Sequence, residues 1–454
     1  MRNLLIILTL SEILAPPLLF GQSVAPVLSY RRALELAFER SPDIRAAAAD
    51  HKKARGLKIT ADQPLVANPE IEASGAYGAR KITPALSFSP LTALQGGNPF
   101  DLSPNKVFGN TIQPIKGFEL SLTQQLELAG KKSVARKMAA VTVARAGIAY
   151  ERARLNVRAA VRTNLMTFSA MDRLNADLKN RLSHLQKIRK QKGADFIDPR
   201  LGRYAARAFN DDLLELEADR LQIEQTAIAS KNALRGLLMI GDDEDFRAGN
   251  SEAIPLPVPP DDPILVLMAV QTSVDLKDAE KALAMARDGA RLARLLVYPD
   301  PSLFVIYGRQ VTEAAGRFGP EREDEQVGRI GIRFQLPVNS TRGERKAAKA
   351  DMEKAQADLN HIRATIKSSV ITAAQSYRFQ IALLDKLKRV VRHSFESLDQ
   401  IDRAFINGRI SYFDFWNEYD RSNRLMKRYA DILVAAATSR GRLEMLIGRT
   451  LDKE

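Results

Sequence analysis

From Lys131 to Gln191 the sequence holds no proline and a single glycine, Gly147. A run of about 60 residues without a breaker predicts a helix of roughly 90 Å at 1.5 Å per residue. That is far longer than the helices of an ordinary globular core. Its first half keeps a seven-residue apolar step through Val134, Val141, Ile148 and Leu155. A second such run is cleaner: Leu359, Ile362, Ile366, Val370, Ala373, Tyr377, Ile381, Leu384, Leu387, Val391, Phe395, Leu398, Ile401 and Phe405 follow one another at threes and fours. Their mean spacing of about 3.5 is the period of a left-handed coiled-coil seam. Gly193 and Gly408 break the two runs, and Pro199–Leu238 and Tyr412–Ile447 read as returning helices. Two long antiparallel helical hairpins follow, with alanines such as Ala139, Ala140, Ala347 and Ala348 permitting close approach.

The chain is written twice. Ala37, Ser41, Asp43 and Pro69 recur at one constant offset as Ala269, Ser273, Asp275 and Pro301. Gly193 then matches Gly408, and Gly241 matches Gly448, after a loop that is shorter in the second copy. Each half reads as short helices, strand, loop, strand, very long helix, glycine turn and long helix. The expected organisation is a first repeat over 22–241, a linker over 242–260 rich in acids and prolines, a second repeat over 261–448 and a tail over 449–454.

The strands are the informative part. Lys116–Leu128 alternates, with Phe118, Leu120, Leu122, Leu126 and Leu128 opposite Glu119, Ser121, Thr123, Gln125 and Glu127. Val327–Val338 sets Ile330, Ile332, Phe334, Leu336 and Val338 against Arg329, Arg333 and Gln335. Period two means one apolar and one wet face, over a length that suits a tilted strand crossing a bilayer. Shorter partners lie in Glu70–Gly78 and Ser302–Gly308, the second the weaker because Phe304 and Ile306 are also apolar, giving expected pairs 69–78/117–128 and 301–309/327–338. Four strands have two raw edges, which lipid does not tolerate, so a membrane-inserted sheet must be completed by further copies. The alternative is a pair of hairpins on a sheet that never meets lipid.

Composition narrows the function. At 45% hydrophobic and 27% charged, the chain is neither disordered nor a polytopic helical membrane protein. With 0 Cys and 4 scattered His, thiol chemistry, disulfides, Cys-ligated zinc and a His-rich metal site drop out. No P-loop, nucleophile motif or paired ligand set is present, so neither an enzyme nor a cofactor is expected. The balance of 68 basic against 54 acidic residues gives +14, but the charges interleave along helices instead of forming one block, which speaks against nucleic acid. Met1-Arg2-Asn3 followed by the apolar runs Leu4–Leu10 and Ile13–Phe20 reads as a secretory signal over residues 1–21.

Signal, strand pairs, long hairpins and duplication together resemble the TolC-like family of outer-membrane efflux channels. The most specific stretch is Phe405-Ile406-Asn407-Gly408-Arg409-Ile410-Ser411-Tyr412-Phe413-Asp414, which is similar to the family's second helix-hairpin tip. Lys192-Gly193-Ala194-Asp195 is a looser version of the first tip. Glu127-Leu128-Ala129-Gly130-Lys131-Lys132 and Leu336–Gly343 resemble the strand-to-helix junctions of the heavy-metal (cation) branch. The resemblance implies a mainly α chain with a small β part. Three copies would form a 12-stranded transmembrane barrel in the outer membrane, continuous with a periplasmic 12-helix coiled-coil barrel. It also implies a periplasmic adaptor and an inner-membrane pump of RND type as partners, and a passive passage for metal ions or small toxic compounds. The other reading is a periplasmic or surface coiled-coil scaffold that never inserts.

By the same resemblance Asp414 matches the first acidic position of the periplasmic gate. Asn417 stands where a second Asp is common, and Phe405 where a Tyr is found. The expected gate set is therefore Asp414, Asp195, Arg409, Gly408, Gly193, Asn417 and Phe405, with Arg409 linking neighbouring tips. The plainer account of the acids is helix capping. Arg329, Arg333, Glu119 and Glu127 are expected to face the barrel lumen, where any water-filled barrel is polar. Tyr77, Tyr307 and Phe118 read as interfacial aromatics or as ordinary packing.

Overall fold

The computed structural model describes residues 26–63, 68–82, 111–127, 129–192, 202–241, 244–249, 254–316, 319–334 and 341–452. The first half contains β1 (Val27–Leu28), α1 (Tyr30–Arg40), α2 (Pro42–Asp62), β2 (Glu70–Ile82), β3 (Thr111–Gln125), α3 (Lys131–Lys192) and α4 (Gly202–Leu238). After β4 (Arg247–Ala248), the second half repeats the order with α5 (Asp262–Thr272), α6 (Val274–Leu295), β5 (Pro301–Gly316), β6 (Gly319–Phe334), α7 (Thr341–Ile406) and α8 (Tyr412–Ile447). Two compact units result, and each draws on both halves. One comprises Met1–Ala46, Arg152–Gln271 and Ser368–Glu454; the other comprises Ala47–Glu151 and Thr272–Lys367.

The second of these units holds the sheet, in the order β2-β3-β5-β6 with every pairing antiparallel. The two halves meet at the β3–β5 pairing, extended by Leu126 N–H donating to the Pro301 carbonyl at 2.8 Å. Strands β2 and β6 are therefore the edges. Both hairpins run further than alternation suggested. β2 reaches Ile82, β3 begins at Thr111, β5 continues to Gly316 and β6 starts at Gly319. The reason is that the hydrophobic signal stops before the hydrogen bonding does: beyond Arg309 the partners are Gln326, Glu325, Asp324 and Glu323. Pro114 sits inside β3 because it lies past the end of the β3–β5 register, so its missing N–H can fall on the unpaired side. β3 ends at Gln125 and β6 at Phe334; the expected ends Leu128 and Val338 lie outside the described residues.

Beneath the sheet, Lys131 is buried and donates to the Tyr298 carbonyl at 2.6 Å and to Asp300 Oδ2 at 2.7 Å, which fixes the start of α3. Ala129 and Gly130 take φ of 63° and 74° to make that corner. In this unit Arg145 also pairs with Asp278 at 2.9 Å and Arg363 with Glu280 at 2.9 Å, tying α3 and α7 to α6.

In the other unit the seam of α7 behaves as its spacing requires: Val370, Ala373, Tyr377, Leu387, Leu398 and Phe405 are buried. Leu165, Leu185, Phe209, Phe415 and Leu443 are buried in the same unit. Helices α3 and α8 come very close, since a Cβ added at Gly441 would stand 2.9 Å from the Ala159 Cβ. The core also holds charge. Arg162 and Arg440 are fully buried on either side of Glu444, at 2.7 and 2.9 Å. Among the described residues no helix is long and apolar enough to cross a membrane.

Candidate functional site

Two places carry the features singled out above: the sheet in one unit and the turn between α7 and α8 in the other.

In the sheet, directly opposed residues share a face, so the register assembles rows. Ile71, Leu122, Val305 and Ile330 form one row across all four strands. Leu303 with Ile332, and Leu120 with Tyr307, continue the same face, and all of these residues except Leu303 are exposed. Ile330 is 76% exposed and Tyr77 84%. The belt runs from Pro301 to Arg309, roughly 26 Å along the strand. Tilted as barrel strands are, that is about 20 Å of height, close to the apolar band of an outer-membrane barrel. It ends in charge, where Arg309 pairs with Asp324, and Lys116 lies 5.9 Å from the Tyr77 ring. Phe118 and Tyr307 contact at 6.0 Å near that upper limit.

The opposite face carries Glu72, Ser121, the half-buried Ile306 and Arg329 in one row and Ser302 beside Arg333 in another. Glu119 lies on this face, opposite Ser74 and Gly308, whereas Glu127 falls beyond the end of β3. Phe304 looked out of place here. Its ring fills the space over Gly331, where an added Cβ would approach within 2.5 Å, and the Arg333 guanidinium covers it at 5.4 Å. A glycine in one strand is thus covered by an aromatic in the next, and the polar face stays polar at its surface.

The α7–α8 turn is built by local rules. Gly408 has φ of +70°, and the Gly408 and Arg409 amides donate to Phe405 O at 3.0 Å and Ala404 O at 2.8 Å. That pair of bonds is the Schellman ending of a helix. Ser411 then caps α8: its Oγ accepts from the Asp414 amide at 3.2 Å and donates to Asp414 Oδ2 at 2.6 Å. Asp414 therefore serves as a capping carboxylate, and it is exposed, as are Arg409 and Asn417. Phe405 is buried, stacked on Phe415 at 4.2 Å within a cluster that includes Tyr412 and Tyr419. Gly193 and Asp195 lie outside the described residues.

Sequence spacing missed the polar contacts behind the turn, because they come from separate helices. Asp402 accepts from Tyr419 Oη at 2.6 Å and faces His184 Nε2 at 2.8 Å. Tyr412 Oη donates to Asp212. Burial and the adjacent carboxylates raise both tyrosines well beyond their usual range. Arg181, pushed down by burial, donates to Ser422 and Asn423 and covers Phe395 at 4.8 Å. The only part of this visible in the sequence was the Ser411-x-x-Asp414 capping pattern. Among the described residues no cluster of His, Asp and Glu is arranged to hold a metal.

An antiparallel sheet with a bare apolar face, fed by paired long helices in a duplicated chain, is the fold of TolC-like outer-membrane channels. Residues 265–449 match the family described as Outer membrane efflux protein. The chain is similar to the outer membrane protein VceC from Vibrio cholerae, with 17% identity, TM-score 0.66 and coverage of 93% of this chain and 97% of that one. It is similar to the Campylobacter jejuni CmeC outer membrane channel at 14% identity and TM-score 0.70, covering 92% and 85%. The open state of the Neisseria gonorrhoeae MtrE outer membrane channel matches at 18% identity and TM-score 0.67, covering 93% and 89%. A search of curated proteins returns no significant match.

Proposed function

We propose that this chain is one third of a passive outer-membrane exit duct. Three copies contribute four strands each, β6 of one pairing with β2 of the next, to close a barrel in the outer membrane. The observation that carries the reading is the sheet itself: a belt of exposed apolar side chains bounded by charge, with unpaired backbone along β2 and β6. In water such a face and two such edges are an aggregation hazard; in lipid the edges must be satisfied, and ring closure satisfies them. Glu119, Arg329 and Arg333 then face a water-filled lumen.

The duct would receive metal ions or small toxic compounds from a periplasmic adaptor and an RND-type inner-membrane pump, without chemistry of its own. We assign the periplasmic end to the α7–α8 turn, with Asp414 and Asn417 towards the passage and Arg409 linking neighbouring turns. An open groove of 390 Å³ among α3, α7 and α8, lined by Arg173, Lys388, Arg392 and Phe395, offers the adaptor a surface. The likeness of the fold to outer-membrane channels supports this reading.

Fractionation tests it. The protein is expected in outer membranes, resistant to carbonate, and migrating as a trimer before heating in detergent. A monomer that stays in solution without detergent would leave only a coiled-coil scaffold. In planar bilayers, Asp414→Ala should alter conductance and weaken block by multivalent cations; no change in either would remove Asp414 from the passage.

A further inference from the structure

A passive duct has no use for a net charge of +14, yet part of that excess is concentrated where the sheet meets the helices of its own unit. Residues Lys131 to Lys137, which open α3, include Lys131, Lys132, Arg136 and Lys137 and no acid. α7 opens with Arg342, Arg345, Lys346 and Lys349 against Glu344, and α6 closes with Arg294. Cations at a helix start oppose the macrodipole and lower helix stability, so the energetics of α3 and α7 do not account for them.

Their surroundings do. The lower margin of the apolar belt is Phe334 opposite Pro301, and beside it stands Tyr298; both aromatics are more than half exposed, at 55% and 56%. They border an open hollow of 510 Å³ with Ala129, Leu295 and Pro299. The cations lie directly beyond this margin. At 1.5 Å per residue, Lys137 and Lys346 are roughly 8–9 Å from the first residues of their helices, at the outer limit of a headgroup layer of about 5–8 Å. The acids nearby are largely engaged: Asp300 by Lys131 at 2.7 Å, and Asp62 by Lys58 at 3.4 Å and Arg136 at 4.0 Å. Glu127 sits in the field of Lys131 and Lys132. Exposed are Lys137, Arg294, Arg342 and Lys346, while Lys349 pairs with Glu353 at 3.6 Å and the Lys132 ammonium is buried beside them.

We propose that this cationic collar binds the phosphate headgroups of anionic phospholipid in the leaflet on the helix side of the membrane. The inference rests on the membrane-inserted reading above and adds the lipid partner. The apolar belt sets the depth of the sheet, the aromatic rim marks the interface, and the collar selects charge at that level. The surface spans the ends of three elements, so it is a band around the duct, not a single pocket.

The test uses the full chain reconstituted in vesicles of phosphatidylcholine, alone or with one part in about three of phosphatidylglycerol. The trimer is extracted gently, and the ratio of the two lipids it retains is measured by mass spectrometry. The wild type should hold phosphatidylglycerol several-fold above its share in the vesicle, with the excess shrinking as salt rises. Fivefold per charge is about the ceiling at an anionic surface, and with several lipids sharing the band each charge removed should take away part of the several-fold excess. The combined variant Lys137→Gln, Arg294→Gln, Arg342→Gln, Lys346→Gln should retain lipid near the bulk ratio. The single exposed changes Lys137→Gln and Lys346→Gln should each lower the excess, which covers the case in which the combined variant fails to fold. Neutralising Lys187, Arg189 and Lys190, far along α3, should leave the enrichment unchanged. A wild-type trimer that inserts without enrichment, or a distant variant that loses as much as the collar variant, overturns the proposal alone. Failure to insert in either vesicle overturns the conduit and the collar together.

Discussion

Replacing Glu444 by Gln is the sharpest test of how the helical core is held. Glu444 is 3% exposed and accepts three hydrogen bonds. These come from Arg162 Nη1 at 2.7 Å, Arg440 Nε at 2.9 Å and the Leu451 amide at 3.0 Å. Burial opposes the Arg440 charge, yet Glu444 and Asp452 together hold its guanidinium above its usual range. In Glu444→Gln the volume is kept but one oxygen becomes a donor facing donors. The one carboxylate left to the two buried guanidiniums among the described residues would be the partly solvated Asp452, at 2.6 and 3.8 Å, beside the neutral acceptors Tyr30 Oη for Arg162 and the Pro255 carbonyl for Arg440. Removing one partner from a buried ion cluster costs about 3–5 kcal/mol. Against a typical total of about 5–15 kcal/mol that is a large fraction. The assay is guanidinium unfolding of the purified protein followed by far-UV circular dichroism, comparing midpoints at an unchanged slope. A second variant separates charge from packing: Arg162→Met, Glu444→Leu and Arg440→Met together should fall within about 1 kcal/mol of wild type or exceed it. A Glu444→Gln protein within about 1 kcal/mol of wild type would refute the claim that this cluster is an interdependent unit.

In the sheet, Gly331→Ala should evict the Phe304 ring, strip it of the Arg333 contact and lower the temperature at which the trimer dissociates in detergent. Adding Phe304→Leu should recover most of the loss. At the helical turn, Ser411→Ala removes the cap of α8 and should cost about 1 kcal/mol in the same denaturation assay. Burial holds the Asp212 carboxyl above its usual range, with Tyr412 donation pulling against it and Asp211 and Asp420 adding to the rise. The folded state therefore binds that proton more tightly. Its contribution is present below about pH 3.9, the ordinary carboxylate value, and is lost as pH rises through the raised one. Asp212→Asn should gain on wild type between about pH 4 and 7; a constant difference across that range would count against the assignment.

The helices were legible because their signal is redundant. The seam from Leu359 to Phe405 repeats so often that one exposed member, Phe395, changes nothing, and Arg181 covers it in any case. The strands were legible only where one face is apolar. Past Arg309 the apolar side of β5 thins to Val311 and small residues and faces the charged stretch of β6, so alternation fades while backbone pairing continues unseen. Phe304 read as a flaw in the pattern because its partner, Gly331, lies on another strand. The contacts of Asp402 with His184 and Tyr419 were invisible for a related reason: three helices supply them, and no interval within one helix announces them. Gly408 and Ser411, by contrast, act within a few residues of themselves, so their roles as helix stop and helix start could be read directly.

The two units differ in what they leave unfinished. In the unit that holds the buried arginines, charge is matched inside the chain: Arg162 and Arg440 find Glu444 and Asp452, and Tyr412 finds Asp212. In the unit that holds the sheet, Ile330, Ile332, Ile71 and Leu122 face outward, and strands β2 and β6 end in unpaired backbone. A chain that satisfies a buried guanidinium down to the last carboxylate has not left a belt of isoleucine and leucine uncovered through poor packing. Leaving several large apolar side chains in water would forfeit about 1.5–3 kcal/mol for each one that another environment could cover. The same sheet places its charged residues, Glu72, Arg329 and Arg333, on the other face, so the asymmetry is written into the register and not into a single substitution. A surface with that division suits two solvents at once, which is what the proposed duct asks of it: lipid on the apolar face and water on the polar one. Under that proposal the edges β2 and β6 are closed by further copies of the same sheet.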